Sequence, residues 1–138
     1  MFEYLVLIDG QSFIGEREIR IEVDGDKLKY RMEDRRFYIL TQPEEQTISG
    51  VYGGDQDALI RKIEAFDVPH WKNKYYIPAC DGYFWDLRYK EVGKPCKKIR
   101  GSNDCPDCFE EFVDLMFSVT GDMDRLIKEI NQKCQIES

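Results

Sequence analysis

The sequence predicts an α+β domain: an antiparallel sheet, made of an N-terminal meander and a later hairpin, with a central helix and one or two C-terminal helices packed on it. Three observations point there. Segments of alternating polarity joined by turn residues fill the N-terminal half, apolar residues recur at helical spacing in two later segments, and an aromatic-rich strand pair lies between those helices. With 138 residues, one domain over 1–138 and a single core are expected.

The first strand covers 2–9. Phe2, Tyr4, Val6 and Ile8 alternate with Glu3, Leu5, Leu7 and Asp9, so its centre is apolar on both faces. Residues 18–23 and 27–32 alternate cleanly and are joined through Asp24-Gly25, which tolerates the positive φ angles of a type I′ turn. A two-residue loop there pairs Ile21 with Leu28 and Ile19 with Tyr30, with apolar side chains on one face and charges on the other. A third meander strand is expected at 36–40 and a short fourth at 46–52.

Gly53-Gly54 then breaks the chain, and Asp55 is the expected N-cap of a helix over 56–66. Its buried stripe is Leu59, Ile60, Ile63 and Phe66; Pro69 ends the element and Trp71 packs beneath it. The next strand sets Tyr83, Trp85, Leu87 and Tyr89 against Phe84, Asp86, Arg88 and Lys90. The chain turns near Val92-Gly93-Lys94, returns from Cys96 to Arg100, and leaves through Gly101-Ser102-Asn103-Asp104. Pro106 falls in the first turn of a helix whose buried face is Phe109, Phe112, Val113, Met116 and Phe117. Gly121 closes it, and a last helix opening at Asp122 carries Met123, Leu126, Ile127 and Ile130.

Composition narrows the function classes. Apolar residues make up 42% of the chain and charged ones 34%, interspersed, which excludes a disordered chain. The net charge of −7 argues against generic DNA binding and leaves room for a basic partner or a nucleic-acid-mimicking surface. The N-terminal residues have neither the basic nor the long apolar stretch of a signal peptide, and no apolar run approaches the ~20 residues of a membrane helix. The expected location is cytoplasmic: a bacterial cell, or its host's cytoplasm if the chain is phage-encoded. Five cysteines, an odd number, disfavour a fully paired secreted disulfide framework.

The order Leu59, Ile63, Trp71, Asp81-Gly82, Trp85, Leu87, Gly101-Ser102-Asn103, Pro106, Phe109 resembles a group of uncharacterised bacterial proteins of the Firmicutes type. These are short sheet-plus-helix domains, some secreted as lipoproteins and some cytosolic. The resemblance spans about 55–117 and implies a fold without an established activity. Such proteins commonly carry an aromatic residue where this chain has Cys105 and a polar one at Cys108.

Cys105-Pro106-Asp107-Cys108 is the sharpest chemical motif. Read as a redox dithiol, it needs a lowered pKa at Cys105 near a helix N-terminus. Thioredoxin-type sites follow a strand in a βαβ unit, whereas this motif follows a hairpin loop, which favours a structural helix start. Read as a zinc site, Cys80, Cys105 and Cys108 converge at the open end of the hairpin, with His70 or Cys134 as a fourth ligand. Cys96 lies about nine residues along, roughly 30 Å away at ~3.3 Å per residue, too far to share their metal. Buried free thiols explain the same residues without a ligand. His70 reads as a loop histidine, Asp81-Gly82 as a turn, Gly101-Ser102-Asn103 as a capping loop or an anion nest. Gly50, Gly53 and Gly54 lack the Lys-Ser/Thr of a phosphate loop.

Charge is uneven. Arg88, Lys90, Lys94, Lys97, Lys98 and Arg100 against Glu91 give 88–100 a net +5, which leaves −12 for the rest of a chain whose total is −7. These six cations are the candidate partner-binding residues. The expectation is a non-catalytic, acidic protein-binding module of the inhibitor, immunity or phage counter-defence (anti-CRISPR) kind, with no cofactor. The alternatives are a thiol-redox or zinc protein using Cys105 and Cys108 with Cys80, and nucleic-acid contact through the basic hairpin.

Overall fold

A computed structural model describes residues 1–11, 14–36, 46–78 and 82–121. In chain order its elements are β1 (Phe2–Gln11), β2 (Gly15–Asp24), β3 (Lys27–Asp34), β4 (Gln46–Val51), α1 (Gln56–Ala65), a 3₁₀ turn (Val68–His70), β5 (Lys74–Tyr76), β6 (Tyr83–Glu91), β7 (Lys97–Ser102) and α2 (Phe109–Ser118). The described strands form one sheet in the order β4-β3-β2-β1-β6-β7-β5. Neighbours are antiparallel except β5, which runs parallel to β7. The domain is thus α+β with a mostly antiparallel sheet.

The two apolar faces of β1 follow from its place between the meander and the β6–β7 hairpin. Leu5 and Leu7 stand between Ile21 and Ile19 on β2 and Tyr89 and Leu87 on β6. A register shift between Phe2 and Tyr4 brings Phe2 into the same core, 5.5 Å from the Tyr89 ring. Leu28, Met32, Trp85 and Ile99 extend that layer, and Leu59 and Ile63 of α1 join it with the expected α2 stripe of Phe109, Phe112, Val113, Met116 and Phe117. Each such side chain contributes about 1.5–3 kcal/mol on full burial. An aromatic cluster ties the helices to the sheet: Trp85 lies 4.4 Å from Phe109, and Trp71 meets Trp85 and Phe112 edge-on at 6.4 and 5.1 Å.

Several local expectations need correction. The β2–β3 register pairs Asp24 with Lys27, Ile21 with Tyr30 and Ile19 with Met32, two residues away from the expected pairing. The loop is therefore Gly25-Asp26, with a positive φ at Gly25 alone, the glycine-first pattern of a type II′ turn rather than I′. A shift of two keeps every side chain on its face, which is why polarity alone does not distinguish the registers. Asp55 caps α1 as expected, accepting from the Ala58 N–H at 3.0 Å. That helix ends at Phe66 and a left-handed Asp67, before Pro69 is reached. Pro106 precedes α2 rather than opening it: Cys108 is the N-cap, and the Phe109 N–H donates to the Pro106 carbonyl at 3.0 Å. Beyond Arg36, the expected 36–40 strand lies outside the described residues, as do the helix from Asp122, Cys80, Asp81 and Cys134.

Candidate functional site

The Gly82–Trp85–Gly101–Asn103 constellation is a joint in the scaffold. The Trp85 indole lies across Gly101, where a Cβ would stand 1.8 Å from Nε1, and Nε1 donates to the Asp104 carbonyl at 2.9 Å. Asn103, left-handed at φ 59°, accepts from the Tyr83 N–H through Oδ1 at 3.0 Å. Its own N–H donates to the Tyr83 carbonyl at 2.7 Å, so this asparagine caps the start of β6 and not a helix. Nearby, Asp9 is buried and held by Arg17 Nε at 2.7 Å and by the Tyr83 hydroxyl at 2.9 Å. Arg17 stacks on Phe117, 3.9 Å from the ring centre. Burial and the Asp9 carboxylate push the Tyr83 hydroxyl far above its usual range. This network is satisfied internally, with the Tyr83 hydroxyl held protonated as the donor to Asp9.

The opposite face of the sheet carries no described element, and its side chains form rows across the strands. One row is Gly10, Phe84, Ser102 and Tyr76, on β1, β6, β7 and β5. The next is Ile8, Asp86, Arg100 and Lys74, and the one after it Val6, Arg88 and Lys98. Phe84 leans on Gly10, whose missing side chain makes the room: a Cβ there would meet the ring at 2.7 Å. Phe84 keeps 37% of its surface exposed and Tyr76 58%. Between them lies a hollow of about 460 Å³ over Ser102, bordered also by Ile8, Lys74 and Arg100.

The six hairpin cations separate in this geometry. Arg88, Lys98 and Arg100 project from the open face, with Arg100 Nε 3.4 Å from Asp86 and neither Arg88 nor Lys98 in an ion pair among the described residues. Lys90 is turned back, donating to the Glu91 carbonyl at 2.7 Å and lying 3.4 Å from Glu3. Lys94, at the turn, sits 3.4 Å from Glu91. Lys97 faces the core side, where its ammonium donates to the carbonyls of Pro69 and Trp71 at 2.8 and 2.6 Å. It anchors the 3₁₀ turn. Lys74 and Tyr76 had no signal in the sequence, because a three-residue strand shows no period and its parallel pairing to β7 is non-local.

Local geometry gives the redox reading little support, and the zinc reading turns on Cys80, which lies outside the described residues. Cys105 is exposed and Cys108 half-buried, both free. Partial burial, then Asp104 and Asp107, push the Cys105 thiol up; partial burial, then Glu111, does so for Cys108. A redox nucleophile needs the reverse. Among the described residues, no cluster of three His, Cys, Asp or Glu side chains is placed to hold a metal. His70 is exposed, its Nδ1 2.7 Å from Asp67 Oδ1. No described helix is long and apolar enough to cross a membrane. No protein-family model, curated protein or solved structure matches this chain, so no relative lends it an activity.

Proposed function

We propose that this chain is a non-catalytic protein-binding module, of the inhibitor, immunity or phage counter-defence kind, acting in the cytoplasm of a bacterium or of a phage's host. Its recognition surface is the open sheet face on β5, β6 and β7. One observation carries the reading: Arg88 and Lys98 stand exposed and without an ion pair among the described residues, on the same open face as the exposed rings of Phe84 and Tyr76 and two rows, about 13 Å, along it. Charges that served only solubility would do as well on any surface. Gathered with aromatic rings on one flat face, they have the composition of a binding surface, where aromatic residues and arginine are enriched. The partner surface is acidic, and its attraction supports fast encounter and falls with salt.

The test is affinity capture from the native host with the intact chain and with the Arg88→Glu/Lys98→Glu variant. A stoichiometric partner is expected with the intact chain at low salt and should be lost from the variant. Recovery of no such partner, or equal recovery by both, would count against the reading.

A further inference from the structure

We infer that the hollow between Tyr76 and Phe84 receives an aromatic side chain from an extended acidic segment of the partner, whose following alternate carboxylates lie on Lys74 and Arg100 and then on Arg88 and Lys98. This rests on the protein-binding reading and names the partner's chemistry. Tyr76 and Phe84 flank Ser102 in one row, two strand spacings apart. At roughly 4.8 Å per spacing their backbones stand about 10 Å apart, and the Phe84 ring, leaning onto Gly10, widens the space so that a third ring can enter between them. Ser102 provides a low floor, and Gly10 on the far side of Phe84 fixes that ring. The volume of about 460 Å³ falls in the ~300–1,000 Å³ range of ligand sites.

The cations continue the match. Same-face residues on a strand repeat every ~6.6 Å, so the ring row, the Lys74–Arg100 row and the Arg88–Lys98 row advance at that interval. An extended peptide laid over β6 and β7 presents its own alternate side chains at the same interval. The complementary pattern is therefore aromatic-x-acid-x-acid. Single-stranded nucleic acid fits less well. Asp86 and Glu16 border the hollow, and the chain outside 88–100 carries −12 of a total −7, so a longer polyanion would soon meet like charge. A segment with two or three carboxylates meets only Asp86, which Arg100 already answers at 3.4 Å, and ends on Arg88 and Lys98.

The experiment uses three probes on the intact, isotope-labelled chain at low salt: a capped peptide Trp-Ser-Glu-Ser-Glu-Ser, the same peptide with Ala for Trp, and oligothymidylate of similar charge. The tryptophan peptide should shift the amides of β5, β6 and β7 and bind at least about fivefold tighter than the alanine peptide. Tyr76→Ala and Arg88→Glu/Lys98→Glu should each weaken it at least about threefold. Equal affinity for the two peptides, tighter binding of oligothymidylate, shifts confined to other strands, or no binding would overturn the inference. The broader reading fails separately. A captured partner that depends on Arg88 and Lys98 but is indifferent to Tyr76→Ala would refute the aromatic cleft and leave the binding module standing.

Discussion

The two halves of the open sheet face treat their cations differently. On β2 and β3, Arg20 lies 3.6 Å from Glu22, Arg31 2.8 Å from Glu33, and Lys29 beside Asp24, holding that carboxyl below its usual range. Arg20 also covers the Tyr4 ring, 5.1 Å from its centre. On β6 and β7, Arg88 and Lys98 have no such answer among the described residues, and two rows along, Phe84 and Tyr76 stay 37% and 58% exposed, with Lys74 Nζ 5.4 Å from the Tyr76 ring centre. Concavity does not separate the halves: the hollow bordered by Arg20, Glu22, Lys29 and Arg31 holds about 470 Å³, much like the 460 Å³ between Tyr76 and Phe84. What differs is that Arg88 and Lys98 are unmatched among the described residues, while Arg100 and Lys90 of the same half lie 3.4 Å from Asp86 and Glu3. Arg20, Lys29 and Arg31 are answered on their own half, and Arg88 and Lys98 are not, among the described residues.

If partnering decides what a cation contributes, removing the most completely partnered one should cost the most stability. Arg17 is that residue, bonded to buried Asp9 and stacked on Phe117. Arg17→Met would leave Asp9 uncompensated, and about 3–5 kcal/mol of unfolding free energy should be lost. Urea denaturation measures it. The double variant Arg17→Met/Asp9→Asn should recover part of the loss, since the orphaned charge goes with its partner. A cost below about 1 kcal/mol for the single variant would break the contrast at its strongest point.

Much of this contrast was out of reach of the sequence, for identifiable reasons. The alternation of β2, β3 and β6 and the stripe of α2 were legible because one face of each is apolar and the period is unambiguous. Which face of β1 turns inward was not, since Leu5 and Leu7 compete with Val6 and Ile8, and flanking Ile19, Ile21 and Leu87 decide it. Within the hairpin, alternation does separate Lys97 from Lys98. What diverts Lys97 is the 3₁₀ turn beneath it, 26 to 28 residues away in the chain. The cleft was least legible of all. Phe84 was visible as a polar-face aromatic, but Tyr76 reaches it only through the parallel pairing of β5 with β7.

Lys97 sharpens the comparison from within the less matched half. It belongs to β7 yet is fully answered, by two carbonyls of the turn that seats Trp71. Lys97→Met should cost about 1.5–3 kcal/mol, the range of hydrogen bonds to a charged group, and leave partner binding intact. Exposed Arg31→Ala, which breaks an ion pair, should cost about 0.2–1 kcal/mol. Arg88→Ala should stay within about 0.5 kcal/mol of the intact chain while weakening the partner. Thermal or urea unfolding of the three variants, with binding measured in parallel, orders them. If Arg88→Ala proved the most destabilising, position in the sheet rather than partnering would govern stability.

The smallest effect concerns Cys105 and Cys108, which stand at the approach to α2, away from either half of the open face. Folding raises both thiol pKa values, so the unfolded chain gives up its thiol protons first as pH rises. Their contribution to stability is therefore fully present below the unfolded thiol pKa of about 8.5 and is lost as pH climbs through the higher folded values. Cys105→Ser/Cys108→Ser should lose less stability than the intact chain between pH 7 and pH 10, by a margin kept small by solvent around these partly exposed groups. The rate of alkylation against pH gives the same information directly. Both thiols should titrate above their ordinary range, and a thiolate already formed at neutral pH would restore the redox reading of this motif.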